Sequence, residues 1–169
     1  MVDSLACAAD WLRAGPTVVC YGDIVVSPAA VRAVAASPAA IAVAYDPQWL
    51  GQWADRFADP LTDAETFRLA PDGTIADIGN TPHSIDDVAG QYLGLLKLTP
   101  DGWAAIAAAL PELAPGERRD MTALLYRLIT TQAATVTAVA VPGPWWEFDA
   151  PHDLTAGRPV IEQLDRLLA

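Results

Sequence analysis

Four short runs of the chain are apolar at nearly every position, and they cover residues 17–20, 40–45, 93–98 and 136–141. A strand with one face in water alternates apolar and polar residues, whereas a strand covered on both faces is apolar throughout. The four runs therefore predict the covered strands of a mostly parallel sheet in an α/β domain.

Proline marks the starts of four predicted helices, because it is favoured at the first helical position. The pairs are Ser27-Pro28, Asp46-Pro47, Thr99-Pro100 and Ala150-Pro151, and the first three begin with a side chain that can cap a helix. Strand followed by helix is thus the recurring unit. No linker or change of composition divides the chain, so residues 1–169 are predicted to form a single domain.

The middle and the beginning of the chain depart from this unit. Residues 66–69 and 74–78 flank the turn Pro71-Asp72-Gly73, a pattern typical of a β-hairpin, which we expect to stand off the main sheet. Residues 79–88 are polar and predict a loop. A helix-like segment, residues 5–12, precedes the first apolar run without an earlier strand to complete a βαβ unit.

The charge of the chain argues against polyanionic partners. Ten basic and 21 acidic residues give a formal net charge of -11, which repels nucleic acid and anionic membrane surfaces. Lys97 is the single lysine. A bound polyphosphate would therefore depend on arginine, backbone amides or divalent cations.

The cysteines and the apolar stretches indicate a cytoplasmic protein. Cys7 and Cys20 lie in a predicted helix and a predicted buried strand, where free thiols act as small hydrophobic groups. The amino terminus has no basic leader followed by a long apolar run, and the apolar stretches are shorter than a membrane span requires. We expect neither secretion nor membrane spanning.

Carboxylates follow two of the apolar segments. Asp23 comes directly after residues 17–20, and Asp149 lies just before the last predicted helix. Ligands of open α/β sheets bind beyond the carboxyl ends of the strands. Glu147 and Asp149 are separated by one residue, so in an extended segment both point to one side. Asp23 and Asp149, at neighbouring strand ends, form a pair of carboxylates that suits Mg²⁺. Each of these aspartates alone is also typical of an ordinary turn or helix cap.

Five segments together resemble the sugar-phosphate nucleotidyltransferase superfamily, and within it the cytidylyltransferases that act on phosphocholine or small phosphonates. They are Tyr21-Gly22-Asp23-Ile24 and residues 45–50, 59–67, 90–97 and 146–154, in order across nearly the whole chain. The resemblance implies a three-layer α/β/α domain with a mostly parallel sheet of the nucleotide-diphospho-sugar transferase type, missing its first βα segment.

The resemblance also implies a reaction. A nucleoside triphosphate, with CTP favoured, is joined to a small phosphate or phosphonate acceptor, and pyrophosphate is released. Asp23 and Asp149 match the aspartates that hold Mg²⁺ at the α-phosphate in this family. Such chemistry needs a metal because two anionic groups must approach each other.

We expect acidic and aromatic side chains to bind the acceptor, because a choline or aminoethyl headgroup is a cation that favours carboxylates and aromatic faces. The alternative is that the two tryptophans fill the core and the acids are solvated. His83 and His152 lack metal-ligand spacing and are interpreted as structural. The candidate acceptor residues are Tyr21, Asp63, Glu65, Tyr92, Asp120, Trp145, Trp146 and Glu147.

The sequence departs from the superfamily at its signature. An amino-terminal strand, a glycine-rich loop around the triphosphate and a following basic residue have no counterpart here. A second hypothesis is therefore a non-catalytic relative that acts as an oligomeric or regulatory partner. A sheet edge left without the first strands would favour a homo-oligomer or pairing with an amino-terminal segment. A phosphatase with Asp23 as nucleophile is disfavoured, since position 25 is valine rather than a second aspartate.

Overall fold

A computed structural model describes residues 1–110, 120–141 and 143–168. The strands in these ranges are β1 Thr17–Cys20, β2 Ile24–Val26, β3 Ile41–Asp46, β4 Phe67–Leu69, β5 Ile75–Ile78, β6 Gln91–Leu98, β7 Thr137–Ala140 and β8 Trp145–Glu147. The α-helices are α1 Val2–Cys7, α2 Ala9–Ala14, α3 Pro28–Ala36, α4 Trp49–Arg56, α5 Pro100–Ala109, α6 Met121–Thr130, α7 Asp153–Ala156 and α8 Arg158–Leu168. Short 3-10 turns cover Pro60–Thr62 and Ile85–Asp87.

The central sheet has the strand order β1-β6-β3-β7. Strand β6 is antiparallel to both β1 and β3, and β3 is parallel to β7. Three of the four strands therefore run in one direction and β6 runs against them. The four apolar runs of the sequence correspond to these four strands, so the mostly parallel sheet is confirmed with one reversed strand in its interior.

Residues of the central strands alternate between two hydrophobic cores. Val43 and Leu96 belong to a core formed with α5 and α6, whereas Ala44 and Leu95 belong to a core formed with α3 and α4. All four of these side chains are fully buried. Burial on both faces explains why β3 and β6 are apolar throughout, and it gives the three layers that the resemblance implies.

Strand β1 differs from the prediction. Its residues are only partly buried, and Cys20 and Cys7 are exposed free cysteines, so the expectation of buried thiols is wrong. For Cys20 the reason is position, because β1 pairs with β6 on one side and has no strand partner on its other side among the described residues. An edge strand is covered less than a central one.

Two of the predicted helix starts are capped as expected. The Ser27 hydroxyl accepts a hydrogen bond from the Ala30 amide, and the Thr99 hydroxyl accepts one from Gly102, each at 3.2 Å. Asp46 instead closes a turn by accepting from the Gln48 amide at 2.7 Å, and α4 begins later, at Trp49.

Two helices in the carboxy-terminal third were misplaced or missed. The helix predicted after Ala150-Pro151 begins at Asp153, as the short α7 followed by α8. Helix α6 was not predicted. Its cap is Asp120, whose carboxylate accepts from the Ala123 amide at 2.8 Å.

Two antiparallel ribbons complete the fold. The predicted hairpin is present as β4 and β5, with Phe67 opposite Ile78. It touches the main sheet through the Ile75 amide, which donates to the Val136 carbonyl at 2.9 Å. The second ribbon pairs β2 with β8 and brings the segments of Asp23 and Asp149 together. No helix in the described ranges is long and apolar enough to cross a membrane.

Candidate functional site

An acidic cavity of about 230 Å³ lies where β1 ends and β6 begins. This is the carboxyl end of β1 and β3, the edge at which open α/β sheets bind ligands. It is also lined by Met1, Gly94, Thr122, Trp53 and Gln91, none of which was predicted as a site residue. The predicted residues in its walls are Tyr21, Asp63, Glu65, Tyr92, Asp120, Glu147 and Asp149.

Trp145 and Trp146 do not line the acidic cavity. They are 2% and 4% exposed, and the Trp145 indole donates to the buried Asp46 carboxylate at 2.8 Å. Both tryptophans are therefore core residues, which is the alternative that the sequence left open. The aromatic wall comes from Trp53 of α4 and from the Tyr21–Tyr92 pair, whose rings lie edge to face with centroids 5.9 Å apart.

The ribbon of β2 and β8 holds Asp23 next to the Asp149 segment. Ile24 lies opposite Glu147, and the Phe148 amide donates to the Asp23 carbonyl at 2.9 Å. Asp23 is exposed and borders a neighbouring groove, and Tyr21 lines both that groove and the acidic cavity. In the part of the chain that is described, no three His, Cys, Asp or Glu side chains are grouped to hold a metal.

Arg56, at the end of α4, binds two of the carboxylates that line the acidic cavity. Its side chain is 1% exposed and contacts three carboxylates, those of Glu147 at 3.3 Å, Asp149 at 3.0 Å and Asp153 at 3.1 Å. The shared contact confirms that Glu147 and Asp149 point to one side. Arg56 could not be identified from local sequence pattern, because its partners are more than 90 residues away along the chain.

Burial and mutual repulsion raise the pKa values of two carboxyl groups that line the cavity. Burial, reinforced by the charge of Asp149, raises the pKa of Glu147 to about 7 although Arg56 opposes the rise. Burial also raises the pKa of Asp63, against the lowering effect of Arg56. Carboxyl groups that resist ionisation in this way would be stabilised as anions by a bound cation.

Two other charged residues have structural roles. The Asp120 carboxylate caps α6 and also accepts from the Thr122 hydroxyl at 3.0 Å, so it is a helix cap that lines the cavity. The Lys97 ammonium donates to the carbonyls of Ser37 and Ala39 at 2.6 and 2.9 Å. It therefore satisfies backbone groups after α3.

A second concavity, the β1 groove, runs along the outer side of β1. It has a volume of about 440 Å³ and is lined by α1, α2, β1 and the residues that follow β1. Trp11 borders it and is 77% exposed. The groove combines an apolar surface with the strand edge that has no partner among the described residues.

Comparison with known proteins gives one curated relative and a set of similar structures. The chain is 29% identical over 167 residues to the CTP:phosphoglutamine cytidylyltransferase of Campylobacter jejuni, covering 91% of this chain and 65% of the relative. No protein-family model matches the chain.

Two solved structures have the same fold. The inositol-1-phosphate CTP transferase of T. maritima aligns with a TM-score of 0.73, and a putative glucose-1-phosphate thymidylyltransferase of Bacillus anthracis with 0.66. Each is 15% identical and is matched over 98% of this chain and 61% of its own. The chain thus spans less than two thirds of the length of all three proteins. This chain therefore shares its fold with these two transferases and is similar in sequence to the C. jejuni cytidylyltransferase.

Proposed function

We propose that this chain carries the acceptor site and the metal-binding carboxylates of a cytidylyltransferase, which joins CTP to a small phosphorylated or phosphonate acceptor and releases pyrophosphate. The relative from C. jejuni, similar over 91% of the chain, bears the name of such an enzyme. The proposal includes the cytoplasmic setting expected from the sequence.

The acidic cavity is the observation that carries this proposal. Five carboxylates, those of Asp63, Glu65, Asp120, Glu147 and Asp149, line a space of about 230 Å³. Drug-sized ligands usually occupy pockets of roughly 300–1,000 Å³, so this cavity suits the headgroup of a small acceptor. The negative charge of these carboxylates favours a cationic headgroup.

The reaction needs no covalent intermediate on the protein. An oxygen of the acceptor phosphate or phosphonate attacks the α-phosphorus of CTP, and the bond to the β-phosphate oxygen breaks as pyrophosphate leaves. The acceptor phosphate is largely ionised near neutral pH, because its second pKa is about 6, so a strong protein base is unnecessary. The cavity fixes the headgroup, and this orients the attacking oxygen.

Asp23 and Asp149 are the residues that would hold Mg²⁺. Magnesium is commonly bound by one or two carboxylates together with water and substrate phosphates, and the ribbon of β2 and β8 supplies two from adjacent segments. The Asp149 side chain is 49% exposed while contacting Arg56, so it is fixed in orientation and still accessible. Bound magnesium would offset the repulsion between the phosphates.

Pyrophosphate release tests the proposal. The chain is incubated with CTP, Mg²⁺ and small phosphorylated amines, alongside Asp149→Asn and Asp23→Asn. Asp165→Asn, in exposed α8, is the matched control. We expect slow turnover by the wild type and the control, because the glycine-rich triphosphate loop of the superfamily has no counterpart in the sequence. The site variants should lose at least a hundredfold of that turnover, in the range for electrostatic groups of active sites. Turnover that persists without divalent metal, or in both site variants, would contradict the proposal.

The second candidate is a non-catalytic, oligomeric partner, and the β1 groove favours it. An unpaired strand edge beside an apolar surface is a typical association site. We expect a homo-oligomer, or a complex with a separate amino-terminal segment. Light scattering across a concentration series tests this, and a monomer at high concentration together with CTP turnover would eliminate this candidate.

A further inference from the structure

We infer that the headgroup bound in the acidic cavity carries a primary ammonium group together with an uncharged oxygen that accepts a hydrogen bond, and that it is not a quaternary ammonium. This deepens the proposed function by naming the class of acceptor. The inference rests on three features of the cavity: its carboxylates, its occupied indole faces and a buried amide donor without a partner.

Carboxylates dominate the walls of the cavity. Asp63, Glu65, Glu147 and Asp149 all line it, and Arg56 contacts the last two. A primary ammonium has three N–H donors and can bond several carboxylates at once. A quaternary ammonium has no N–H donor, so it would add no hydrogen bond to any of these carboxylates.

The aromatic faces that suit a quaternary ammonium are not available. Such cations are recognised by aromatic cages, in which the rings face the charge. Here the guanidinium of Arg56 already lies over the rings of Trp53 and Trp146, at 5.1 and 5.9 Å from their centroids. Both indoles are also more than nine-tenths buried. Tyr21 and Tyr92 pack edge to face against each other, so the edge of one ring covers part of the face of the other.

Gln91 supplies the hydrogen-bond donor that an uncharged oxygen of the ligand would meet. It lines the cavity from the start of β6, is 6% exposed, and its Nε2 is buried without a hydrogen-bond partner. The Trp53 indole N–H, close enough to Asp63 to lower the pKa of that carboxyl, also makes no hydrogen bond of normal geometry. Leaving a buried donor unsatisfied costs free energy. A ligand oxygen would remove that cost once the Gln91 amide rotates toward the cavity, because Nε2 has almost no accessible surface as it stands.

The oxygen that meets Gln91 is uncharged. A carboxylate there would face the five acidic side chains that line the same cavity, and like charges at such distances repel strongly in a partly buried site. A hydroxyl or an amide carbonyl accepts the same hydrogen bond without this repulsion. The predicted acceptor class is therefore the phosphorylated amino alcohols and amino amides.

Calorimetric titration with four matched compounds, in Mg²⁺ and without nucleotide, tests the inference. O-phosphoserine amide has a primary ammonium and an uncharged carbonyl, and phosphoethanolamine has the ammonium alone. O-phosphoserine adds a carboxylate, and phosphocholine is quaternary. We expect the amide to bind about three- to tenfold more tightly than phosphoethanolamine, the effect of one hydrogen bond to a previously unpartnered donor. Phosphoserine and phosphocholine should bind more weakly than both.

Two variants identify the groups responsible. Gln91→Leu should bring the affinity for O-phosphoserine amide down to that for phosphoethanolamine. Gln52→Leu is the control, because Gln52 also has a buried Nε2 without a partner but does not line the cavity. Circular dichroism confirms that each variant is folded, and Gln91→Glu, which replaces the amide donor by a carboxyl, should give the same loss if Gln91→Leu does not fold.

Tightest binding by phosphocholine, an unchanged preference in both Gln91 variants, or no binding of any compound would overturn the inference. A failure of the proposed function would give a different experimental result from a failure of this inference. Because no nucleotide is present, a chain that shows the expected order of binding but never releases pyrophosphate from CTP would retain the inferred ligand class and lose the transferase activity.

Discussion

The guanidinium of Arg56 lies 3.0 Å from the carboxylate of Asp149, and the two residues are 93 positions apart in the sequence. This contact joins the end of α4 to the segment that follows β8, so the positions of two carboxylates in the acidic cavity depend on one buried cation. Arg56 also binds Glu147 and Asp153, and it therefore offsets three negative charges at once.

Replacing Arg56 by methionine should destabilise the protein by about 3 kcal/mol, because removing one partner of a buried ion pair leaves uncompensated charge. Urea unfolding at pH 7 measures the change in the free energy of unfolding. Arg13→Met is the matched control, because Arg13 contacts Asp10 at 2.9 Å but the two side chains are 63% and 99% exposed. Exposed pairs contribute little, so equal losses in the two variants would contradict the role given to burial.

Asp153 should make the stability of the protein sensitive to acid. Its side chain is fully buried, and although burial alone would raise its pKa, the Ala150 amide, the Arg56 guanidinium and the Asp149 amide hold the pKa below its ordinary value. A lowered pKa contributes stability that is present above the unfolded-state value, about 3.9, and is lost as the pH falls through the folded-state value.

Asp153→Asn should therefore be less stable than the wild type at pH 7, and the difference should narrow as the pH falls below about 4. Urea unfolding from pH 7 to pH 3 measures both curves. Asp165→Asn, exposed on α8, should follow the wild type at every pH. A constant gap between Asp153→Asn and the wild type would show that the stabilisation does not come from ionisation.

The local pattern of apolar residues predicted the central sheet, whereas contacts between distant parts of the chain determined the edge position of β1 and the role of Arg56. Continuous apolar runs identified β3 and β6 because both faces of these strands are buried, and the same pattern misled at Cys20 because an apolar run cannot show which strand lies at an edge. Arg56 was not predicted since its role depends on carboxylates more than 90 residues away.

The candidate site was predicted in part for the same reason. Asp63 and Glu65, from the segment that precedes β4, line one cavity with Glu147 of β8 and with Asp149, which follows β8. Trp145 could not be assigned from the sequence, because an aromatic residue beside a carboxylate fits a binding pocket and a core equally well. Its placement was decided by Asp46, a buried acceptor 99 residues away.

Trp145→Phe should lower stability and leave the acidic cavity intact. The indole N–H is a donor to the Asp46 carboxylate at 2.8 Å, and a buried acceptor that loses a partner costs about 1–3 kcal/mol. Thermal or urea unfolding measures the loss, and calorimetry with phosphoethanolamine measures the cavity. Trp11→Phe, at a side chain 77% exposed, controls for the loss of an indole. A large loss of affinity at unchanged stability would instead make Trp145 a ligand contact.

We expect Gly94 to be required both for the backbone conformation of β6 and for the shape of the acidic cavity. Its φ of 75° lies in the left-handed region, and a Cβ added there would be 2.5 Å from the ring of Tyr21. Gly94→Ala must therefore strain the backbone and also displace a side chain that lines the cavity. Gly73 separates these two effects, because its φ is 82° but nothing lies within 4 Å of an added Cβ.

Gly73→Ala should thus cost about 1–2 kcal/mol, the strain of a left-handed residue, and should leave the binding of phosphoethanolamine unchanged. Gly94→Ala should cost more and should also weaken that binding, since Tyr21 can relieve the clash only by moving. Urea unfolding and calorimetry on both variants measure the two quantities. If Gly94→Ala matched Gly73→Ala in stability and in affinity, the contact with Tyr21 would not be what holds this wall of the cavity, and β6 would position its residues independently of the segment that follows β1.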